Sequence, residues 1–347
     1  MTIAPNVLIS CAGRRNYLLK YFSAALAGTG EVFATDASAD AVALAEADQS
    51  FLVPYANTPG YVDTVLDICA RNQVGLLISV NDYELPIFAV HRDRFSAIGT
   101  TAVIAGPETI TTCFDKVRTA TALTAAGLLV PRTILSLAEA EEALARSTLS
   151  FPVVVKPRWG SGSLGLQIVW DFEELRLAHA LLTKLLARSF FEKTLPEEEQ
   201  DRIVIQEYLD GVEYGLDVVN DLNGVHVVTF VKRKLAMRAG ETDKAVTMDL
   251  PALEQLGATL GNLLKHVGVL DCDVFVTDRG TYVLDLNPRF GGGYPFSHLA
   301  GANIPAALLA WRRSSEVAPE WLRVRTGVRG AKCDRMVELL NLDLLRK

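Results

Sequence analysis

The chain has 347 residues, half of them hydrophobic and 22% charged, with 34 Lys and Arg against 41 Asp and Glu and a net charge of −7. This composition is typical of a globular protein with two or three domain-sized units and excludes a disordered chain. The acidic balance, without a tract rich in Lys or Arg, argues against nucleic-acid binding, so we expect no nucleic-acid partner.

Three further features of the sequence bear on cellular location. The longest stretch without a charged side chain, 290–311, contains four glycines and two prolines and is a poor membrane span. The first ten residues show no basic region followed by an apolar core, so they do not resemble a secretory signal. The five cysteines form no C-x-x-C pair, which argues against a disulfide framework or a zinc ribbon. We expect a cytoplasmic protein with no membrane partner.

The first hundred residues alternate short apolar runs with amphipathic helical segments. Predicted strands lie at 7–10, 32–35, 51–53 and 76–80, and predicted helices at about 16–27, from about 39, and at 61–71. Such alternation predicts βαβ units around a parallel sheet. We assign residues 1–107 to this α/β domain.

Two turns of this domain allow two interpretations each. The turn at 10–15 has one glycine where the dinucleotide-binding fingerprint has three, so dinucleotide binding is not expected. It is either an ordinary strand-to-helix turn or a site where Arg14 or Arg15 receives a substrate carboxylate or phosphate. Residues Asn81–Glu84 follow a predicted strand and either bind a substrate or cap the next helix.

A second unit is predicted from residue 108. Its predicted helices lie at about 108–126, from 136, within 171–195 and at 251–266. Its predicted strands lie at 151–156, 203–206, 215–220, 226–231, 273–277 and 282–286, with a polar loop at 232–244 and a hairpin turn at 278–280.

The strongest local signal is the segment 153–165, VVVKPRWGSGSLG, in which a strand delivers Lys156 into a loop of glycine and serine. Closely spaced glycines let backbone N–H groups approach phosphate oxygens, and a lysine ammonium neutralises their charge. The lysine precedes the loop, so this is not a Walker A motif. The segment is either a phosphate-binding loop or a glycine-rich hairpin with a solvated lysine.

The second signal is acidic. Asp285 and Asn287 lie two residues apart on one predicted strand and therefore share a face, and the hairpin can bring Asp273 alongside. Oxygen ligands of this kind suit Mg²⁺. The alternative is an exposed polar face. A third and weaker signal is Gln206–Glu213, which is either an adenine- and ribose-binding hinge or an ordinary loop.

In this order the three signals resemble the ATP-grasp superfamily, over roughly residues 1–310. The similarity is strongest to the group of the carbamoyl-phosphate synthase large subunit and to biotin-carboxylase-type domains. It implies a preATP-grasp parallel-sheet domain followed by a two-lobed ATP-grasp fold at 108–310. It also implies a small mobile lobe at about 130–208 and leaves 311–347 as a C-terminal tail.

The resemblance also implies residue roles. For the ATP phosphates these are Lys116, Lys156, Gly160, Ser161, Gly162 and Ser163; for adenine Glu207 and Leu209; for ribose Glu213; and for one or two Mg²⁺ ions, with Mn²⁺ as an alternative, Asp273, Asp285 and Asn287. Arg289 would face the transferred phosphoryl group. Aspartate occupies the two metal positions where glutamate is commoner in the family.

The predicted loop 232–244 carries five basic residues in an otherwise acidic chain. We favour a catalytic function for Lys234 and Arg238, as a clamp on the γ-phosphate and the anionic substrate, over a solvated face. Gly291–Gly293 follow Arg289 and suit a backbone that passes close to a ligand. Nearby, His298 is either a general base or a structural histidine.

The implied reaction is phosphorylation of a carboxylate by ATP, followed by attack of an amine on the acyl phosphate. The expected partners are therefore a small-molecule carboxylate and amine, and a homodimer is an open option. One alternative is phosphorylation of bicarbonate or carbamate, as in carbamoyl-phosphate synthase, which the chain length disfavours. Another is a regulatory protein that binds ATP without turnover, which the intact Lys156, Asp285, Asn287 and Arg289 disfavour.

Overall fold

The computed structural model describes residues 5–160, 165–188 and 201–339. Its strands form a parallel five-stranded sheet and two antiparallel sheets of four and six strands. The predicted α/β fold, a parallel-sheet domain followed by an ATP-grasp fold, is confirmed. Within the described ranges, no helix combines the length and the apolar character needed to cross a membrane.

The parallel sheet is the core of the N-terminal region. Its strands are β1 (Asn6–Ser10), β2 (Val32–Asp36), β3 (Gln49–Leu52), β4 (Val74–Ser79) and β5 (Thr101–Ala102), and its helices are α1 (Asn16–Leu26), α2 (Tyr61–Arg71), α3 (Leu85–Ala89) and α4 (Arg92–Ala97). In the strand order β3-β2-β1-β4-β5, β2 and β3 are added on one side of β1, and β4 and β5 are added on its other side. The switch point of the sheet therefore lies between β1 and β4. Open α/β sheets bind ligands at such a switch point, beyond the carboxyl ends of the strands.

A helix predicted as continuous over 108–126 is two helices, α5 (Pro107–Phe114) and α6 (Lys116–Ala125). The break is at Asp115, whose backbone is extended and whose side chain accepts a hydrogen bond from the Val117 amide at the start of α6. The same carboxylate binds the Arg158 guanidinium at 2.6 Å. Asp115 therefore joins this helix pair to the strand that carries Lys156.

The four-stranded sheet forms a small lobe with two helices. Its elements are β6 (Thr133–Ile134), α7 (Leu137–Ala145), β7 (Val153–Pro157), β8 (Gln167–Val169), α8 (Phe172–Ala187) and β9 (Ile203–Glu207), with strand order β6-β9-β7-β8. α7 begins after Ser136, whose hydroxyl accepts from the Glu139 amide, as the capping spacing predicts. The apolar face of α8 packs on this sheet.

The six-stranded sheet faces the four-stranded sheet across a cavity that residues of both sheets line. Its strands are β10 (Val212–Asn220), β11 (His226–Arg238), β12 (Glu241–Met248), β13 (Gly268–Thr277), β14 (Gly280–Asn287) and β15 (Arg329–Ala331), in the order β14-β13-β10-β11-β12-β15. Its helices are α9 (Pro251–Leu264), α10 (Tyr294–Leu299) and α11 (Ile304–Arg312). The predicted hairpin around 278–280 joins β13 to β14.

The structure corrects the predicted loop at 232–244, which is a hairpin of β11 and β12 that turns at Ala239 and Gly240. Both turn residues have positive φ, as in the tight turns that match the twist of paired strands. Lys232 and Lys234 lie two residues apart on one buried face of β11. Because these buried positions carry charged residues, the sequence lacks the alternation of apolar and polar residues by which a strand is predicted.

The C-terminal segment also differs from a simple tail. Residues 329–331 form β15, which pairs with β12 at the edge of the six-stranded sheet. Position 311, the predicted start of the tail, lies inside α11.

The tight packing of α9 on β11 leads to a stability prediction. A Cβ added to Gly257 would lie 2.3 Å from Thr229 Oγ1, so Gly257→Ala must push the helix away from the strand. We expect a loss of about 1–3 kcal/mol in the free energy of unfolding, although alanine favours a helix over glycine by about 1 kcal/mol. Chemical denaturation measures this loss. The exposed Gln255→Ala is the control, and equal stability of the two variants would contradict the close approach.

Candidate active site

A cavity of about 650 Å³ lies between the two antiparallel sheets, and most of the predicted site residues line it. The predicted residues that line it are Lys116, Lys156, Gly160, Glu207, Leu209, Glu213, Lys234, Asp273, Asp285, Asn287 and Arg289. Ser161, Gly162 and Ser163 lie outside the described residues. Arg238 is described and does not line the cavity.

One end of the cavity is apolar. Its lining residues include Val154, Leu166, Ile168, Phe275 and Leu284 from the two facing sheets. The chain from Glu207 to Leu209 passes along this end, and the Glu207 carboxylate is held by Arg279 at 2.5 Å. A slot of this kind accepts a flat aromatic group between apolar side chains.

Two lysines lie next to this slot. Lys116 Nζ donates to the Gly160 carbonyl at 2.8 Å, and Lys156 is buried. Burial and the neighbouring Lys116 charge lower the pKa of Lys156 to about 8. Among the described residues neither lysine forms an ion pair, and the charges of Asp285 and Asp273 compensate Lys156 only in part. Both lysines line the cavity.

The acidic residues lie on β13 and β14. Asp273 is directly opposite Asp285 in the sheet register, and Asp271 is opposite Asn287. Lys234 Nζ lies 2.6 Å from Asp273 and 2.7 Å from Glu213, and these two carboxylates raise the pKa of Lys234 despite its burial. Burial raises the pKa of Asp273, because Lys234 compensates its charge only in part.

This arrangement bears on the predicted magnesium site. The described part of the chain contains no group of three or more His, Cys, Asp or Glu side chains placed to hold a metal ion. Asp273 is paired with Lys234, whereas Asp285 and Asn287 share a face and approach each other to 3.4 Å. These residues fit Mg²⁺ that takes most of its ligands from phosphates and water. They do not fit a metal held by the protein alone.

Arg289 is held by the N-terminal domain. Its Nε and Nη2 atoms each lie 2.8 Å from a different carboxylate oxygen of Asp82, and both residues are buried. A third contact, from Nη1 to Asp271, is longer at 3.5 Å. Although burial lowers it, the pKa of Arg289 is raised overall by Asp82. Asp82, left open between substrate binding and helix capping, therefore binds Arg289.

The turn that carries Asp82 is rigidly anchored. Glu84 is fully buried, and its carboxylate accepts hydrogen bonds from Ser10 and Ser79 at 2.5 Å and from Tyr61. Burial raises the pKa of Glu84. These bonds tie the turn to β1, β4 and α2, so Asp82 has a defined position at the switch point of the parallel sheet.

The glycine-rich turn after Arg289 lies against charged side chains. A Cβ on Gly291 would lie 2.0 Å from Asp271 Cγ, and one on Gly293 would lie 2.5 Å from Lys232 Cε. Lys232 in turn is buried in an ion pair with Asp217 at 2.7 Å. The close approach predicted for these glycines is thus to the protein's own charged residues, although Gly293 also lines the cavity.

The chain also matches models of known families. Residues 7–104 match the PylC-like N-terminal domain, and residues 113–293 match the ATP-grasp domain. The chain belongs to the ATP-grasp family. The resemblance found in the sequence is thereby confirmed.

Solved ATP-grasp structures share the fold at low sequence identity. The biotin carboxylase domain of Hydrogenobacter thermophilus 2-oxoglutarate carboxylase has a TM-score of 0.74 at 15% identity, covering 95% of this chain and 74% of that one. L-amino acid ligase from Bacillus licheniformis has a TM-score of 0.70 at 18% identity, covering 94% and 80%. N5-carboxyaminoimidazole synthetase from Staphylococcus aureus, complexed with ADP, has a TM-score of 0.67 at 15% identity, covering 92% and 79%. At these identities the likeness shows the fold alone.

One curated relative, uncharacterized protein y4rH of Sinorhizobium fredii, is 27% identical over 193 residues. The match includes 54% of this chain and 38% of the relative, so this chain spans less than half of the length of that protein.

Two predicted residues of this ATP-grasp chain lie away from the cavity. Arg238 is half-exposed and pairs with Asp243 at 2.9 Å and Asp334 at 2.7 Å, because its position near the end of β11 directs it to the outer face of the hairpin. The His298 ring stacks on Tyr21 with centroids 3.6 Å apart, and burial lowers its pKa. We therefore assign both residues a structural role.

Sequence reasoning also missed cavity residues. Asp271 lies two positions before Asp273 on β13, and this period-two spacing could have identified it. Glu241 was missed because residues 232–244 were predicted as a loop, whereas Glu241 is the first residue of β12 and lines the cavity. Of the two arginines left open, Arg15 lines the cavity and Arg14 is exposed.

The Asp82–Arg289 pair leads to a prediction on stability. Asp82→Ala leaves a buried guanidinium whose remaining contacts are the Phe290 carbonyl at 3.2 Å and Asp271 at 3.5 Å, and we expect it to lower the free energy of unfolding by about 3–5 kcal/mol. The double variant Asp82→Ala/Arg289→Met should lose about 2 kcal/mol less free energy of unfolding than the two single variants lose together.

Denaturant titrations of the four proteins give this coupling energy. Asp63→Ala, which breaks the exposed pair with Arg94, is the control and should cost at most about 1 kcal/mol. Additive losses at Asp82 and Arg289 would show that the two side chains do not stabilise each other.

Proposed function

We propose that this ATP-grasp protein is a Mg·ATP-dependent carboxylate–amine ligase that forms ADP and phosphate. The observation that carries the proposal is the charge pattern of the cavity. Lys116 and Lys156 present positive charge that no ion pair among the described residues compensates in full, next to an apolar slot, and Asp285 and Asn287 face the same space beside the buried Arg289. A nucleotide with its base in the slot would have its phosphates between these two sets of residues.

In the proposed reaction a carboxylate oxygen attacks the γ-phosphorus, and the bond to the β-phosphate oxygen breaks to release ADP. An amine then attacks the carbonyl carbon of the acyl phosphate, loses a proton and expels phosphate. The protein supplies position and positive charge, and no covalent intermediate on the enzyme is needed.

Each part of the site has a proposed role. Glu207 and Leu209 contact the adenine, and Glu213 binds the ribose. Bound Mg²⁺ neutralises phosphate charge, and Asp285 and Asn287 would hold it, with Mn²⁺ as an alternative ion and Asp273 contributing to a second site only after release from Lys234. We propose that Lys234 and Arg289 act on the transferred group, and that Gly160, Ser161, Gly162 and Ser163 bind the phosphates together with Lys116 and Lys156.

The remaining expectations on partners and location are also proposals. The substrates are a small-molecule carboxylate and an amine. The biotin carboxylase domain of Hydrogenobacter thermophilus was solved as a dimer, which supports a homodimer for this chain. We retain the cytoplasm as the proposed location.

A second candidate function is phosphorylation of bicarbonate. It is favoured by the same Hydrogenobacter structure, which holds MgADP and bicarbonate in a chain of this fold.

A substrate panel separates the candidates. Acids and amines are supplied singly and in pairs with Mg·ATP, and ADP, AMP, phosphate and pyrophosphate are measured. ADP that requires both an acid and an amine supports the ligase, whereas ADP that requires only bicarbonate supports the second candidate. Formation of AMP and pyrophosphate would rule out the acyl-phosphate route. Tight ATP binding without turnover on any pair would favour a regulatory protein.

In the same assay, Asp285→Ala should lower ADP formation at least about 100-fold, because charge on the phosphates is no longer neutralised in position. Its free energy of unfolding should be maintained, since one of several clustered carboxylates is removed. Asp278→Ala, in the exposed turn between β13 and β14, is the matched control. Full activity of Asp285→Ala would contradict the proposed metal role.

The lowered pKa of Lys156 predicts a pH dependence of nucleotide binding. The ammonium is present below pH 8 and is lost as pH rises through about 8, so affinity for a non-hydrolysable ATP analogue should fall about 10-fold between pH 7 and 9.5. Fluorescence or calorimetric titration measures it. Lys156→Arg keeps its charge in this range and should flatten the profile. An unchanged fall in that variant would assign the titration to another group.

A further inference from the structure

Three charged side chains from distant parts of the chain form a group at the cavity, where Arg15 and Glu241 belong to the lining and Lys332 pairs with Glu241. Arg15 comes from the first turn of the N-terminal domain, Glu241 from the start of β12, and Lys332 from just after β15. Glu241 lies 3.4 Å from Arg15 Nη2 and 2.9 Å from Lys332 Nζ. Lys332 is outside both family matches, so it belongs to neither shared domain.

The charges of this group do not balance. Two cations face one carboxylate, and Glu241 is ionised because Arg15, Lys332 and the exposed Arg14 lower its pKa against the effect of burial. The nearby Arg289 belongs to a separate group with Asp82 and Asp271. Within the group of Arg15, Glu241 and Lys332, one positive charge therefore remains.

The hydrogen bonds of Arg15 show where that charge is available. Its guanidinium has three described contacts, to Tyr17 Oη at 3.3 Å and to the Phe290 carbonyl and Glu241 at 3.4 Å. All three exceed the 2.7–3.2 Å usual for N–H···O bonds, whereas Arg289 makes two bonds of 2.8 Å. The Arg15 guanidinium thus lines the cavity and makes only long, weak hydrogen bonds in these three contacts.

The position of Arg15 in the fold also points to a ligand. It lies just before α1, beyond the carboxyl end of β1 and beside the switch point of the parallel sheet. The glycine-rich turn begins beside Arg15, because the Phe290 carbonyl accepts from Nη1 of Arg15 at 3.4 Å and from Nη1 of Arg289 at 3.2 Å. A Cβ on Gly292 would lie 3.0 Å from Glu241 Oε2. A small molecule bound to Arg15 would therefore lie beside the reacting centre at Arg289.

We propose that Arg15 binds a free carboxylate of a substrate, distinct from the carboxylate that is phosphorylated. A planar guanidinium can hold a carboxylate through two parallel hydrogen bonds, and one negative charge balances the group. The carboxylate comes either from a dicarboxylic acid or from an amino acid whose amine attacks the acyl phosphate. This inference rests on the proposed ligase function.

The test is calorimetric titration of the full chain saturated with Mg²⁺ and a non-hydrolysable ATP analogue, repeated without nucleotide. The probes are C3–C6 dicarboxylates against the matching monocarboxylates, and the twenty L-amino acids against their amides. We expect binding of a carboxylate-bearing probe at least about 10-fold tighter than that of its matched compound. A dicarboxylate or an amino acid among the binders identifies the source.

Variants test the residue assignment. Arg15→Gln should lower the affinity for the bound probe about 10- to 100-fold, and Arg15→Lys should lower it less. The exposed Arg14→Gln should change this affinity less than about 2-fold. Lys332→Met should lower the affinity, because the positive charge of the Lys332 ammonium is removed. Glu241→Gln should leave affinity equal or higher, because a competing anion is gone. Analogue affinity and circular dichroism confirm that each variant is folded.

The outcomes separate this inference from the proposed function. If the analogue binds and no carboxylate-bearing probe does, the Arg15 subsite is refuted and the ligase proposal stands. If a probe binds and the analogue does not, the subsite stands and the ligase proposal fails. Equal losses in Arg14→Gln and Arg15→Gln, or a loss in Glu241→Gln, would also overturn the assignment of Arg15.

Discussion

The ion pair between Arg289 and Asp82 is the interaction on which the site depends. It joins the end of β14, in the sheet that carries the acidic residues, to the turn after β4 in the parallel-sheet domain. Two buried charges are costly to remove from water, and only the paired geometry of two short hydrogen bonds offsets that cost. The position of the N-terminal domain is therefore linked directly to the orientation of an arginine that lines the cavity.

The other charges of the cavity fall into two classes. Lys234 and Arg289 are paired with carboxylates of the same sheet or of the neighbouring domain, and these pairs have defined geometry before any ligand arrives. Lys116, Lys156 and Arg15 have incomplete compensation. A protein with a net charge of −7 thus has incompletely compensated positive charge in its cavity, where the proposed phosphates and substrate carboxylate would lie.

The parts of the fold that the sequence predicts well are those with a local signal. Apolar runs alternating with helical periods define the parallel sheet, and period-two spacing places Asp285 and Asn287 on one face. Long-range pairs carry no such signal. Asp82 and Arg289 are 207 positions apart, and only the folded chain shows that one binds the other. The lysines on the buried face of β11 led to the prediction of a polar loop instead of a strand. Asp115 was predicted inside a continuous helix, because its contact with Arg158 has no local signal in the sequence.

The pairing of β15 with β12 has a consequence for the order in which the protein folds during synthesis. The parallel sheet is complete once residue 102 has been made, so its contacts can form early. The outer edge of β12 stays unpaired until residues 329–331 follow, and an open edge of this kind invites association with other nascent chains. Lys332 follows β15 directly in the chain and is therefore synthesised at the same stage. The charge balance around Arg15 is therefore among the last features of the active site to be established.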